Sequence, residues 1–456
     1  MFEPGERCAP AVDIARRVRD GAARFGRDRG ANVAILVGFA ALPMIGLCGA
    51  GVEYARGVAV QSRLNAAADA AAIAAIRAAA DYAAQNAGSQ SGTALAGGIA
   101  SAGQAQAAKA FAANAGWALR SVPVTPVVSV DRAGQTFTAT VRYAASYPST
   151  FAKLFGIEAM RVGGSAASSV TAASYTDFYL LLDTSGSMGF PTKSEDQARF
   201  AAANPDIQDA KGKNCAFACH FPGFRGYDLS VEMGIKLRID SVGEAVQQFL
   251  TTAKQSRSLP NQYRVGLYPF VSYLATAGDV TSNLDSLQGP AGNLKAYMDV
   301  GDSSKPQGSG GTHFENVVPT INDRIQRLGD GISANTPKVS VFLITDGMDN
   351  NQYWYNNYGW TGSQSRLLDA SLCNPLKSRG ITISVLYIPY MPLTTPFNDN
   401  VGYENVRVNA LIPDVPRTLQ ACASDGRFHT ASSPAEITAA LQKMFLQEAQ
   451  PTRLTQ

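Results

Sequence analysis

Between Gly30 and Glu53 lies a stretch of 22 residues without a charge, Ala31 to Val52, reading ANVAILVGFAALPMIGLCGAGV. As a helix it would extend about 33 Å, enough for a bilayer core about 30 Å thick. An uncleaved transmembrane anchor is therefore expected, kinked at Pro43. A removed signal peptide would carry an apolar region of only about 7–15 residues, nearer the first methionine. A lipoprotein start is disfavoured because Leu47, not a small residue, precedes Cys48.

The flanks orient the anchor. Seven arginines precede it (Arg7, Arg16, Arg17, Arg19, Arg24, Arg27, Arg29), and Arg56, Arg63 and Arg77 follow it. Positive charge stays on the cytoplasmic side, so a short N-terminus inside and an exported C-terminal bulk are expected. That places Cys8 inside and Cys48 in the membrane, and leaves Cys215, Cys219, Cys373 and Cys422 in an oxidising space. Four cysteines allow three pairings; Cys215–Cys219 with Cys373–Cys422 is the expected one. A zinc site at Cys215, Cys219 and His220 is the weaker reading, because adjacent residues do not easily reach one ion. With 39 basic and 36 acidic side chains and a net charge of +3, nothing predicts nucleic-acid binding.

At 456 residues the chain should form two or three folded units. From Ala66 to Ala84, thirteen of nineteen residues are alanine, which predicts that the membrane helix continues outward as a stalk with a small-residue face. NAGSQSGTALAGGIASAG reads as a flexible link and QAQAAKAFAANAG as a short second helix. Between Val122 and Val170 the period changes to two, with strands in VPVTPVVSV, QTFTATVRYAA and MRVGGSAASSV and a short helix in PSTFAKLFGI. Beyond Tyr175, the continuous apolar runs FYLLL, VFLI and ITISVLYI alternate with amphipathic helices, the pattern of strands buried on both faces of a mostly parallel sheet. In the helix KLRIDSVGEAVQQFLTTAK, Leu237, Val242, Val246, Phe249 and Leu250 form the buried stripe. The last helix opens on the capping box Ser433-Pro434-Ala435-Glu436 and buries Ile437, Leu441, Met444 and Phe445. The expected organisation is a cytoplasmic arm (1–30), an anchor (31–52), a helical stalk and linker (53–116), a small β-rich unit (117–173) and a doubly wound α/β domain (174–450) with an insertion near 190–230.

Two of the apolar runs end in an aspartate: FYLLL leads into Asp183-Thr184-Ser185-Gly186-Ser187, and VFLIT into Asp346-Gly347. In an open α/β sheet, ligands bind beyond the carboxyl ends of the strands, so both carboxylates should reach the same edge. The glycine-rich turn GSGGTHF would bring Thr312 to a neighbouring loop. Two carboxylates and three hydroxyls around one point suit a hard divalent cation, Mg²⁺ or else Mn²⁺ or Ca²⁺. With few charged ligands such an ion keeps much of its charge and would attract an acidic side chain from a partner.

DTSGSM, GGT and TDG, in that order, resemble the metal-ion-dependent adhesion site of von Willebrand factor type A domains. The resemblance implies a Rossmann-like fold, with Asp183, Ser185, Ser187, Thr312 and Asp346 as the metal set. The stretch from Ser187 to Thr312 is longer than that family usually has. The start of the chain, with its arginine-glycine pair, membrane span, acidic-aromatic step and LNAAADAAAIAA, is similar to TadG-like proteins of tight-adherence (Tad/Flp) pilus assembly. That resemblance implies a single-pass inner-membrane protein with a periplasmic adhesion-type domain, binding other assembly components.

The loop holding Tyr353, Trp354, Tyr355, Tyr358 and Trp360 follows Asp346 closely, and either forms a recognition surface or folds back over the sheet end. Asp349 and Asn350 read as turn formers, and His220, His313 and His429 as surface or packing residues, His313 standing next to Thr312. No catalytic residue is expected. A Mg²⁺-dependent exported hydrolase is the competing function, but the set offers no general base, no G-x-S-x-G elbow and no phosphate-binding G-x-x-x-x-G-K. A purely structural membrane-tethered spacer is the other alternative, and would leave the five-residue set superfluous.

Overall fold

The computed structural model describes residues 31–86, 89–90, 92–203, 222–297, 310–353, 361–392 and 402–449. The chain divides into two compact units, a smaller one built around the N-terminal helix and a larger one carrying most of the remaining chain.

In the smaller unit, helix α1 (Ala31–Asn86) runs unbroken for 56 residues, through Pro43 and past Glu53. It is the one described helix long and apolar enough to cross a membrane. Its first part leaves Leu36, Phe39, Leu42 and Leu47 exposed. Beyond Glu53 one stripe turns inward: Val60, Leu64, Ala67, Ala68, Ala71, Ala72, Ala75 and Ile76 are buried at the three- and four-residue spacing of a helix face. Alanine lets neighbours approach this stripe closely, and Ala107, Phe111, Val141 and Tyr143 fill the space against it. A three-stranded sheet completes the unit, in the order β1 (Val127–Ala133), β2 (Thr136–Pro148), β3 (Ala159–Thr171). The buried carboxylate of Glu53 accepts the backbone N–H groups of Thr150 and Phe151, each at 2.9 Å, which ties the β2–β3 connection to α1.

The expected link at NAGSQSGTALAGGIASAG is mostly helical instead. Helix α2 covers Gly92–Ala115, so the expected short helix begins twelve residues earlier. The glycines signalled flexibility in the sequence, but Gly98 serves close packing: a Cβ there would lie 2.3 Å from the Tyr82 ring. Leu95 and Ile99 are buried, which anchors the first turns.

The larger unit is α/β and doubly wound. Its six-stranded sheet has the order β11 (Phe428–Thr430), β10 (Thr382–Tyr387), β7 (Lys338–Thr345), β4 (Thr176–Asp183), β5 (Tyr263–Phe270), β6 (Gly278–Thr281). Every pairing is parallel except β5 with β6. All eight residues of β4 are buried, and alternate side chains enter opposite layers. Phe178, Leu180 and Leu182 pack with helices α3 (Arg238–Gln255) and α6 (Pro434–Ala449); Tyr179 and Leu181 pack with α4 (Phe314–Arg324) and α5 (Val415–Cys422). The first layer centres on Phe178, whose ring lies 5.6 Å from Phe249 and 5.5 Å from Phe342. The stripes expected on α3 and α6 are buried as read. At the start of α6 the Glu436 amide donates to Ser433 Oγ at 3.3 Å, while the Glu436 carboxylate accepts from the Ser432 amide, one residue before the expected partner.

Cys373 and Cys422 form a disulfide joining the ends of two short helices in the second layer. Cys215, Cys219 and His220 lie outside the described residues.

Candidate metal site

Strand order places the site. The chain moves from β4 to β5 and β6 on one side, then returns to lay down β7, β10 and β11 on the other. The direction reverses between β4 and β7, and a crevice opens at such a switch point beyond the carboxyl ends of the strands. Asp183 closes β4, Asp346 follows β7, and both are fully buried. In-register pairing of Leu182 with Ile344 brings the two strand ends level.

Asp183 is held from two sides. Its Oδ1 accepts the Ser185 amide at 2.9 Å, and its Oδ2 accepts the Thr345 hydroxyl at 2.6 Å. The chain then turns through Gly186–Gly189, so that the Ser185 and Ser187 hydroxyls stand 3.1 Å apart. The Thr184 amide and hydroxyl both donate to the Phe270 carbonyl, fastening this turn to the end of β5.

Thr312 is buried and reaches the site edge through its backbone. Its carbonyl accepts the Asn350 amide at 2.9 Å, the Gly311 amide donates to the Gln352 carbonyl at 2.7 Å, and the His313 amide donates to the Val271 carbonyl at 3.0 Å. The turn therefore lies between the end of β5 and the segment after Asp346. Glycine is required for that approach: a Cβ at Gly310 would stand 2.1 Å from the Gln352 carbonyl oxygen, and one at Gly311 2.2 Å from that of Asn350.

Burial, together with the negative charge of Asp346, pushes the Asp183 carboxyl up to about 7. Burial likewise raises Asp346, opposed by the Arg238 guanidinium and then by Ser187 and the Met348 amide. One oxygen of Asp346, Oδ1, is buried without a hydrogen bond of ordinary geometry. Two desolvated carboxylates, one with an orphaned oxygen, beside paired hydroxyls form a donor set that fits a hard cation. Among the described residues no three His, Cys, Asp or Glu side chains gather into a metal cage, so a cation here would depend on hydroxyl oxygens.

Two participants escaped the sequence reading. Thr345, the residue before Asp346, holds Asp183. Arg238, at the first position of α3, is 2% exposed and contacts Asp346 Oδ2 at 3.1 Å. A cation at a helix N-terminus opposes the helix dipole, and that misplacement was the available signal.

The neighbouring candidates have structural partners. Asp349 pairs with Arg366 across the short hairpin β8 (Met348–Asn350) and β9 (Ser365–Leu367), Nε to Oδ2 at 2.8 Å, and burial still lifts its carboxyl to about 7. The Asn350 side-chain amide donates to Glu404 at 3.0 Å, and Asp349 and Asn350 lie in strand β8 rather than the expected turn. His313 is buried, bonded through Nδ1 to Glu315 at 2.9 Å, with its ring 4.2 Å from Tyr353. Burial lowers its pKa. His429 packs against Gln447, Nε2 to Oε1 at 3.0 Å. Of the aromatic loop, Tyr353 folds back onto His313 and accepts a hydrogen bond from Asn316 at 2.9 Å; Trp354, Tyr355, Tyr358 and Trp360 lie outside the described residues.

No protein-family model and no curated protein matches the chain. Among solved structures it is similar to BatB, a conserved hypothetical protein of Bacteroides thetaiotaomicron (13% identity, 59% of this chain and 98% of that one, TM-score 0.31). It is also similar to the vWF domain of the type V pili tip protein Mfa5 of Porphyromonas gingivalis (11%, 62% and 99%, 0.35). A third likeness is to proximal thread matrix protein 1 of the mussel byssus with a zinc-occupied MIDAS motif (13%, 61% and 46%, 0.31). Likenesses this distant carry no argument about function.

Proposed function

We propose that this chain is a membrane-anchored, metal-dependent binding component, not an enzyme, of a bacterial tight-adherence (Tad/Flp) pilus assembly or secretion machine. In this reading α1 spans the inner membrane with its N-terminus cytoplasmic, and the α/β unit faces the periplasm. The Cys373–Cys422 disulfide suits that oxidising space. Asp183, Ser185, Ser187, Thr312 and Asp346 would hold a divalent cation, Mg²⁺ or a similar hard ion. When bound, the cation supplies a positive centre that an acidic side chain of a protein partner can meet.

The observation that carries the reading is the pair of buried carboxylates at the switch point, with Asp346 Oδ1 unpartnered. Burying two carboxylates without a full complement of counter-charge is unfavourable: Arg238 offsets one negative charge at Asp346, and Asp183 is met by the neutral Ser185 amide and Thr345 hydroxyl. Thr345 and the Ser185 amide orient Asp183, and the Ser187 hydroxyl stands 3.1 Å from that of Ser185. Asp183→Ala should abolish Mn²⁺ binding, measured by calorimetry on the purified full chain, while leaving membrane insertion intact. Equal Mn²⁺ binding by that variant would overturn the assignment. A Mg²⁺-dependent phosphatase and esterase screen should detect no turnover.

A further inference from the structure

We infer that Arg238 is a built-in counter-charge that keeps cation affinity at this site low until an anionic ligand joins. The inference rests on the reading of the crevice as a cation site, and extends it to how occupancy is controlled.

Arg238 is fixed from several directions. Nη1 donates to Asp346 Oδ2 at 3.1 Å and lies 3.5 Å from the Ser187 carbonyl oxygen; Nη2 donates to the Pro389 carbonyl at 2.9 Å. The guanidinium lies 5.1 Å from the Phe190 ring centre and 5.8 Å from that of Tyr390. With both carbonyls and two aromatic faces around it, the residue is only 2% exposed, and an arginine does not lose its proton. Its charge is permanent and its position set.

Charge counting gives the consequence. Asp183 and Asp346 ionised, with Arg238, amount to one net negative charge. A divalent cation turns this into one net positive charge, where the same set without arginine would be neutral. Guanidinium and cation would also share one carboxylate, the first on Oδ2 and the second drawn to the unpartnered Oδ1. Like charges close together in a desolvated crevice repel strongly. An anionic ligand relieves that repulsion, so cation and anion should each strengthen the other's binding. Arg238 is thus a positioning residue that couples the two.

The test uses the full chain in detergent micelles, titrated with Mn²⁺ alone and then with acetate present at saturating concentration. Asp183→Ala serves as the background. Wild type should bind Mn²⁺ weakly, and acetate should tighten it at least threefold. Arg238→Gln, neutral but still a donor, should bind Mn²⁺ at least tenfold more tightly than wild type and lose the acetate effect. Arg238→Lys, which keeps the charge, should restore weak, acetate-sensitive binding. If Arg238→Gln folds only with metal, folding at Mn²⁺ concentrations below the wild-type Kd supports the inference. Failure to fold at any Mn²⁺ concentration, or affinity equal to or weaker than wild type, overturns it. If wild type and Arg238→Gln both match Asp183→Ala, the cation reading itself falls; if wild type binds Mn²⁺ and the arginine variants do not differ, only the role of Arg238 falls.

Discussion

At the scale of residues, the crevice is controlled by acids held at an unfavourable protonation balance. Asp183 titrates at about 7 in the folded chain against 3.8 for the ordinary carboxyl, so the folded state binds this proton more tightly than the unfolded one. Its contribution favours folding fully below about pH 4 and is lost as pH rises from there through 7. Without divalent ions, the wild-type Tm should therefore fall between about pH 4 and pH 7. Asp183→Asn, which cannot ionise, should flatten that slope, as thermal melts at matched ionic strength would show. Mg²⁺ added at the upper pH should raise the wild-type Tm and leave the variant unmoved. An unchanged slope in Asp183→Asn would count against the assignment. The two aspartates were legible because each follows an uninterrupted apolar run. Arg238 was not: it stands 108 positions from Asp346, and in KLRID it looks like the solvated start of an amphipathic helix.

At the scale of elements, strands buried on both faces carry a distinct sequence signal, and β4, β7 and β10 follow the runs that announced them. The three-residue strands β8 and β9 are too short to show a period, so Asp349 and Asn350 read as turn formers. Composition misled where it stood in for packing: α2 contains glycines chosen for close contact, which resemble the glycines of a linker. The disulfide between Cys373 and Cys422 closes a loop of 49 residues, and loop-closure entropy assigns such a crosslink about 4 kcal/mol. Replacing both cysteines by alanine should lower stability by roughly 2–5 kcal/mol, seen as a shifted urea midpoint. The wild-type chain under a strong reductant should shift the same way and the double variant should not. A midpoint insensitive to both treatments would show that the layer is held by its apolar contacts alone.

At the scale of the whole molecule, two compact units share one chain, and among the described residues only the smaller has an apolar segment long enough for lipid. The full chain should stay with membranes after an alkaline wash. A version beginning at Val170 should be recovered in the soluble fraction and keep its Mg²⁺-dependent gain in Tm. Loss of that gain would mean that the α/β unit needs the preceding residues to form its crevice. The same helix that leaves Leu36, Phe39 and Leu47 uncovered passes into its alanine stripe without interruption, and Glu53 grips the β2–β3 connection where the two parts meet. A tether with a loose joint would let the outer sheet wander independently of the bilayer. With the proposed anchor in lipid, the continuous helix and the Glu53 contacts would make it an axle, and a tilt imposed on it would carry the three-stranded sheet along.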